Sequence, residues 1–287
     1  MDESIPSTKE RLQAFLASHP HFAQKSLGQN FLVNDSVVEK MIRALKDFGP
    51  SWVIEIGPGP GALTDHLIQW TAIKLTLIEL DSHFAQIWKS RNVEVIESDA
   101  LRWNWSSCQI PQPPVLISNL PYQISASLMI DRSVDFVPLA GMILMFQKEV
   151  ADRLRASFRT VDYGVLSVVA QTFWKMELLA GLGRADFIPQ PKVNSQVLVF
   201  KPLTPSRELL KSGPGKAKFL GFVKMCFQQR RKYLRTNLKA GYSEHQIQAA
   251  FGHLGLSLQA RAEEIRVAQF QDLFEILSNH GNHSRQS

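Results

Sequence analysis

Four residues stand at an even interval, each just past or at the end of an apolar run: Gly57, Glu79, Asp99 and Asn119, which are 22, 20 and 20 residues apart. One strand and one helix fill such an interval. All four are therefore predicted on one rim of a parallel sheet, the rim where open α/β sheets hold their ligands. The run Gly57-Pro58-Gly59-Pro60-Gly61-Ala62 fits two nucleotide-binding patterns. Read as G-x-G-x-x-A it matches the dinucleotide fingerprint, with Glu79 on the ribose hydroxyls. Read as G-x-G-x-G it matches the loop that holds S-adenosylmethionine, where the acid has the same task. Pro58 and Pro60 lack the backbone N–H groups on which a pyrophosphate cradle depends, and this favours the phosphate-free methyl donor. A tight strand-to-helix turn that binds nothing is the third reading of the run. Asp99 is a candidate partner for the adenine amine of the donor, or else an ordinary cap or turn residue.

Asn119-Leu120-Pro121-Tyr122 adds a second kind of chemistry. The exocyclic amine of adenine is a poor nucleophile because its lone pair is delocalised into the ring. Two acceptors, the side-chain oxygen of Asn119 and the carbonyl of Leu120, could take its N–H hydrogens and pull the nitrogen toward tetrahedral geometry. Pro121 stiffens the turn and offers no competing N–H. The ring of Tyr122 could stack on a base flipped out of its helix. In-line attack on a sulfonium methyl then depends on positioning and electrostatics, without a strong general base. The bland alternative is a strand-helix connection with proline in the first helical turn.

The elements that must carry these residues alternate. Apolar runs at 52–56, 75–79, 93–96, 115–118 and 142–146 are predicted strands. Helices are predicted after residue 36, through Leu63, Leu67 and Ile68, and over 82–89, with Asp35 or Ser36 capping the first. This rhythm means a mostly parallel sheet with helices on both faces. Two further strand candidates, 176–179 and 196–200, flank a proline-rich loop and are expected to pair at the sheet edge. After Phe200 the prolines and glycines at 202, 205 and 213–215 read as a linker. Beyond it Phe219, Phe222, Val223, Cys226 and Phe227 recur at helical spacing, with Gly241 ending that helix. Residues 1–205 are thus expected to form the catalytic domain and 206–287 a small helical one. Residues 1–25 read as a partly ordered arm.

The chain has 287 residues, 45% of them hydrophobic, enough for a core, and a formal net charge of +6. Residues 201–240 hold eleven Lys or Arg and one acid, Glu208, which leaves −4 for the rest. Arg231, Arg235 and Lys239 are predicted on one helical face, broadened by Arg230 and Lys232. Such a face suits RNA phosphates, against the alternative of a solvated helix surface. Cys108 and Cys226 offer neither a disulfide framework nor metal-ligand spacing, and His19 and His21 form no metal pattern. No signal peptide is visible, and the longest near-apolar stretch, 137–146, is too short to span a bilayer. The expected protein is cytoplasmic, monomeric, and free of metal and membrane.

In the order and number of its motifs the chain resembles the bacterial small-subunit rRNA adenine dimethyltransferases of the KsgA type, from about Gln24 to about Gln269. The matching segments are Gly28-Gln29-Asn30-Phe31-Leu32, 53–59, Ile78-Glu79-Leu80-Asp81, Asp99-Ala100-Leu101, Asn119-Leu120-Pro121-Tyr122, 147–154, 163–167 and 187–195. Gln228-Gln229-Arg230-Arg231-Lys232 and Arg261-Ala262-Glu263-Glu264-Ile265 follow. The resemblance implies a Rossmann-like class I S-adenosylmethionine-dependent methyltransferase fold with a small C-terminal helical domain. It implies that Gln29, Asn30 and Leu32 lie over the donor beside Gly57, Gly59, Glu79, Asp99 and Asn119. It also implies that Phe187 covers the target adenine opposite Tyr122. The substrate it suggests is small-subunit rRNA in an assembling subunit, gripped by Arg230, Arg231, Lys232 and Arg235. A nicotinamide-dependent oxidoreductase, a non-catalytic RNA-binding factor and the large-subunit rRNA methyltransferases are the competing readings.

Overall fold

The computed structural model describes residues 6–18, 30–107, 112–135 and 137–283, with the side chains of 280–283 set aside. Gln29, Ser26, Leu27, Cys108, His19 and His21 lie outside the described residues. The chain packs as two compact units. The first comprises Met1–Leu128, Val137–Ala151 and Met176–Lys201; the second comprises Met129–Phe136, Asp152–Lys175 and Pro202–Ser287. The second unit thus takes in two stretches that precede residue 206.

In the first unit the elements run α1 (Thr8–Ser18), β1 (Phe31–Leu32), α2 (Asp35–Lys46), β2 (Trp52–Ile56), α3 (Thr64–Leu67), β3 (Lys74–Glu79), α4 (Ser82–Ser90), β4 (Glu94–Glu97) and β5 (Val115–Ser118). Then follow α5 (Tyr122–Val134), β6 (Gly141–Gln147), α6 (Lys148–Leu154), α7 (Val165–Phe173), β7 (Trp174–Leu182), β8 (Phe187–Ile188) and β9 (Ser195–Pro202), of which α5 and α6 continue into, α7 lies in, β7 begins in and β9 ends in the second unit's stretches. The seven-stranded sheet has the order β4-β3-β2-β5-β6-β9-β7. β4 through β6 are parallel, and β9 runs antiparallel to β6. β9 and β7 are neighbours at the edge, as their sequence suggested. Every residue of β2 and β5 is buried, because both faces of a parallel sheet are covered.

α2 forms because Val37, Val38, Met41, Ile42 and Leu45 fall on one stripe, all buried against the sheet residues Val53, Ile143 and Met145. Burying a side chain of this size stabilises by about 1.5–3 kcal/mol before the entropy of ordering it. Its cap is Asn34, not Asp35 or Ser36: the Asn34 side chain accepts the Val37 N–H at 3.1 Å. Asp35 instead takes the N–H of Thr8, at the start of α1. Part of the expected arm is therefore a helix, anchored by buried Leu12 and by Phe15 stacked 5.7 Å from Phe84. The helix expected around Leu63 is one turn, α3.

The second unit continues with α8 (Gly213–Cys226), α9 (Leu234–Leu238), α10 (Glu244–Leu254) and α11 (Val267–His283). Phe219 lies 6.2 Å from Phe173 and 5.3 Å from Phe274, ring to ring, at its centre. The long helix expected to reach Gly241 is broken. α8 stops at Cys226, and residues 227–233 turn before α9 begins. The cause is buried Asn237, whose Nδ2 donates to the Cys226 carbonyl at 2.7 Å and so caps α8 from α9. Arg231 therefore does not share a helical face with Arg235 and Lys239, and Lys239 is paired with Glu244 at 2.6 Å. Among the described residues no helix is long and apolar enough to cross a membrane.

Candidate active site

Strand order reverses at β2, which has β3 on one side and β5 on the other. At this switch point the carboxyl ends of the strands open a cavity lined by Asn30, Phe31, Leu32, Glu55, residues 57–60, Ala62, Leu63, Glu79 and Asn119 through Tyr122. Six of the expected donor residues (Asn30, Leu32, Gly57, Gly59, Glu79 and Asn119) and four of the expected acceptor residues (Asn119 to Tyr122) thus meet in one place.

The glycine loop is shaped by positive φ at Gly57, Gly59 and Gly61, of +65°, +50° and +102°. A Cβ on Gly61 would stand 2.8 Å from the Trp88 ring, so the loop must approach α4 closely. Trp88 also donates its indole N–H to the Gly59 carbonyl at 2.9 Å. The three glycine N–H groups all point back into the protein. Gly57 donates to Ile78 O at 2.9 Å, Gly61 to Pro58 O at 3.0 Å, and Gly59 to Glu79 Oε2 at 3.2 Å. With Pro58 and Pro60 between them, residues 57–61 offer no free N–H to a pyrophosphate, which suits a donor without phosphates better than a dinucleotide.

Glu79, at the end of β3, is 6% exposed. Burial pushes its carboxyl above the usual range, opposed by the N–H groups of Asp81, Gly59 and Leu80. Asn119 donates Nδ2 to the Asn30 carbonyl at 3.2 Å, which leaves Oδ1 as the acceptor its side chain has to offer. Tyr122 opens α5 with its hydroxyl 2.7 Å from Oγ of buried Ser195. Ser195 is itself fixed by pairing with Gln147 at the start of β9.

Two expected residues stand elsewhere. Asp99 is not among the residues lining the cavity. Its carboxylate accepts the Leu101 N–H at 2.9 Å and lies 3.6 Å from Arg102, the arrangement of a turn cap. Phe187 is 1% exposed, with its ring in the core cluster beside Leu32 and Val197. Its backbone is nevertheless next to the site, because β1 and β8 pair with Leu32 opposite Phe187. Asn34 fastens this pair with a 2.8 Å bond from Nδ2 to Asp186.

Glu55 is the site residue that the sequence conceals, since it reads as one more position of a buried strand. It is fully enclosed, lines the cavity, and accepts the Thr64 hydroxyl at 2.8 Å. Burial pushes its carboxyl up to about 8, so it carries a proton at neutral pH. The folded state thus holds this proton between the ordinary carboxylate value and 8, whereas the unfolded chain has released it. Folding stability is lost through that window as pH rises, by at most about 1.4 kcal/mol per pH unit for one proton. Glu55→Gln removes the titration. Its melting temperature is expected to gain on the parent chain from about pH 5 to 8 and then hold a constant lead. A difference independent of pH would show that Glu55 is charged throughout.

A family model described as ribosomal RNA adenine dimethylase matches residues 21–279. A protein named ribosomal RNA small subunit methyltransferase A from Bdellovibrio bacteriovorus is 44% identical, over 93% of this chain and 97% of its own. One of the same name from Oleidesulfovibrio alaskensis is 38% identical, over 92% and 94%. Among solved structures, a dimethyladenosine transferase from Plasmodium falciparum matches in fold with a TM-score of 0.71 at 24% identity, covering 88% of this chain and 98% of that one. The 23S rRNA methyltransferase ErmE matches with a TM-score of 0.63 at 25% identity, over 87% and 100%.

Proposed function

The chain belongs to the ribosomal RNA adenine dimethylase family, S-adenosylmethionine-dependent rRNA methyltransferases, and from that premise we propose how its site works. The reaction is transfer of methyl groups from S-adenosylmethionine to the exocyclic amines of adenines in small-subunit rRNA, giving dimethyladenosine. The observation that carries this reading is the single cavity in which the acceptor pair of Asn119 and Leu120 faces the glycine loop and Glu79.

When bound, S-adenosylmethionine supplies an electrophilic methyl group on a sulfonium centre. Glu79 would take the ribose hydroxyls, and Asn30, Leu32, Gly57 and Gly59 would close around the donor. Oδ1 of Asn119 and the carbonyl of Leu120 accept from the adenine amine and hold its lone pair out of conjugation. Pro121, without an N–H, leaves both acceptors uncontested. Tyr122 provides a face for the base, and Phe187 would need to leave its buried position to provide the opposite one. No metal is required, because the departing group is a neutral thioether. We read Arg231, Lys232 and Arg235 as phosphate contacts of a helical RNA-binding domain, and the working form as a cytoplasmic monomer acting on an assembling subunit.

Ser195 holds the Tyr122 hydroxyl, so the two should act as one unit. Ser195→Ala and Tyr122→Phe are each expected to lower kcat about 3- to 10-fold with donor affinity unchanged. The double variant should lose no more than either single one. Independent, multiplying losses in single-turnover transfer would separate the two residues.

The functional reading is tested by transfer from labelled S-adenosylmethionine to small and large ribosomal subunits that lack the modification. Label confined to the small subunit is expected. Label in the large subunit instead would move the chain to the other rRNA substrate, and none in either, with donor binding intact, would favour an assembly factor.

A further inference from the structure

Residues 157–163 form a loop of the second unit, exposed except for half-buried Phe158 and buried Tyr163, that none of the chemistry above uses. Its backbone is held in an unusual shape. Arg159 has φ of +68°, a conformation that costs a non-glycine residue about 1 kcal/mol or more, and its N–H donates to the Glu263 carbonyl at 2.7 Å. Arg230, expected from sequence to grip phosphate, donates Nη2 to the carbonyls of Val161 and Tyr163, at 2.9 and 3.2 Å, and so braces the same loop. The braced loop presents Val161, 86% exposed, and the half-buried ring of Phe158.

Beside it lies a cleft of about 510 Å³ lined by Phe158, Arg159, Arg266, Glu264, Ser257 and Gln259 among others. The guanidinium carbons of Arg159 and Arg266 lie 5.7 and 5.0 Å from the Phe158 ring centroid. Both arginines are exposed, and among the described residues neither is ion-paired. The carboxylate in the cleft, Glu264, has Oε2 engaged by the Arg261 N–H at 2.8 Å. Two guanidinium groups without a carboxylate partner, set against an aromatic ring and with amide and hydroxyl groups in the walls, suit a nucleotide. The phosphate meets charge, and the base meets planar surfaces whose stacking does not depend on its identity.

We propose that this cleft binds an unpaired nucleotide of the RNA substrate, with Phe158 as the stacking surface and Arg159 and Arg266 as its phosphate partners. The proposal rests on the reading of RNA as substrate and adds a contact separate from the site of methyl transfer. It also gives Arg230 a different task from its neighbours: it positions the loop, while Arg231 and Lys232 remain free for the backbone.

The test is the affinity of the full-length protein for unmodified small subunits and for protein-free small-subunit rRNA, across a range of salt. Phe158→Ala is expected to weaken both about 5- to 50-fold with an unchanged salt slope, and Phe158→Trp to restore them. Arg159→Ala and Arg266→Ala are each expected to reduce the salt slope by about one. Equal melting temperature and equal S-adenosylmethionine affinity in each variant show that the fold is intact. The double variant Arg231→Glu, Lys232→Glu separates this proposal from the reading beneath it. If it weakens binding while Phe158→Ala and Arg159→Ala do not, the cleft is no nucleotide site and the RNA reading stands. If none of them weakens binding, the RNA reading falls and takes the cleft with it. Loss confined to intact subunits, with protein-free RNA bound as before, would assign the cleft to a ribosomal protein and overturn the proposal.

Discussion

Asn119→Ala is expected to cut methyl transfer by roughly 10³-fold, to background, with donor affinity nearly unchanged. The side chain stands just past β5, the strand paired with both β2 and β6. Its Nδ2 is engaged by the Asn30 carbonyl, which turns Oδ1 into the acceptor for the target amine. Removing that oxygen leaves the Leu120 carbonyl as a single acceptor. The amine lone pair then stays delocalised into the ring. In the proposed site the donor is held mainly by Glu79 and the glycine loop, so calorimetric titration with S-adenosylmethionine should show little change. A variant that kept full single-turnover transfer would remove Asn119 from the mechanism.

Glu79→Ala acts on the other substrate. Hydrogen bonds to a charged group contribute about 1.5–3 kcal/mol, so donor affinity is expected to fall about 10- to 100-fold. Part of the loss is indirect, because Glu79 also accepts from Gly59 and Asp81 and thereby holds the loop and the start of α4. Glu79→Gln keeps an acceptor and should lose less. Burial raises this carboxyl, so in the parent chain donor affinity should decline on acidification at a higher pH than for a surface glutamate, and the Gln variant should not follow. Unchanged affinity of the Ala variant would discredit the ribose contact.

The parallel strands were readable because each is a short apolar run bounded by glycine, proline or an acid. The same regularity placed Gly57, Glu79 and Asn119 on one rim. Asp99 shares the interval but does not line the cavity, and one of its carboxylate oxygens accepts the Leu101 N–H in the turn it begins, a local contact that spacing does not reveal. Glu55 was hidden for the opposite reason, since one acid inside a strand looks like pattern noise until its enclosure and its bond to Thr64 are seen. β1 and β8 are two residues each, too short for any periodicity, yet they bring Leu32 beside Phe187. The break between α8 and α9 depends on Asn237 folding back eleven residues to cap Cys226, a tertiary contact that outweighs a continuous helical pattern. Arg230 looked like its basic neighbours and turned out to hold a loop, because its partners are carbonyls distant in sequence.

The central claim is that Asn119 and Leu120 present two acceptors to an exocyclic adenine amine. The most direct measurement is nucleoside analysis of small-subunit rRNA after methylation with labelled S-adenosylmethionine. Label in N6,N6-dimethyladenosine, with the monomethyl form appearing first, is the expected result. Label on a ring carbon or a ribose hydroxyl would contradict it, because neither has two amine hydrogens for this pair to hold, and label in cytidine or guanosine would contradict the choice of adenine.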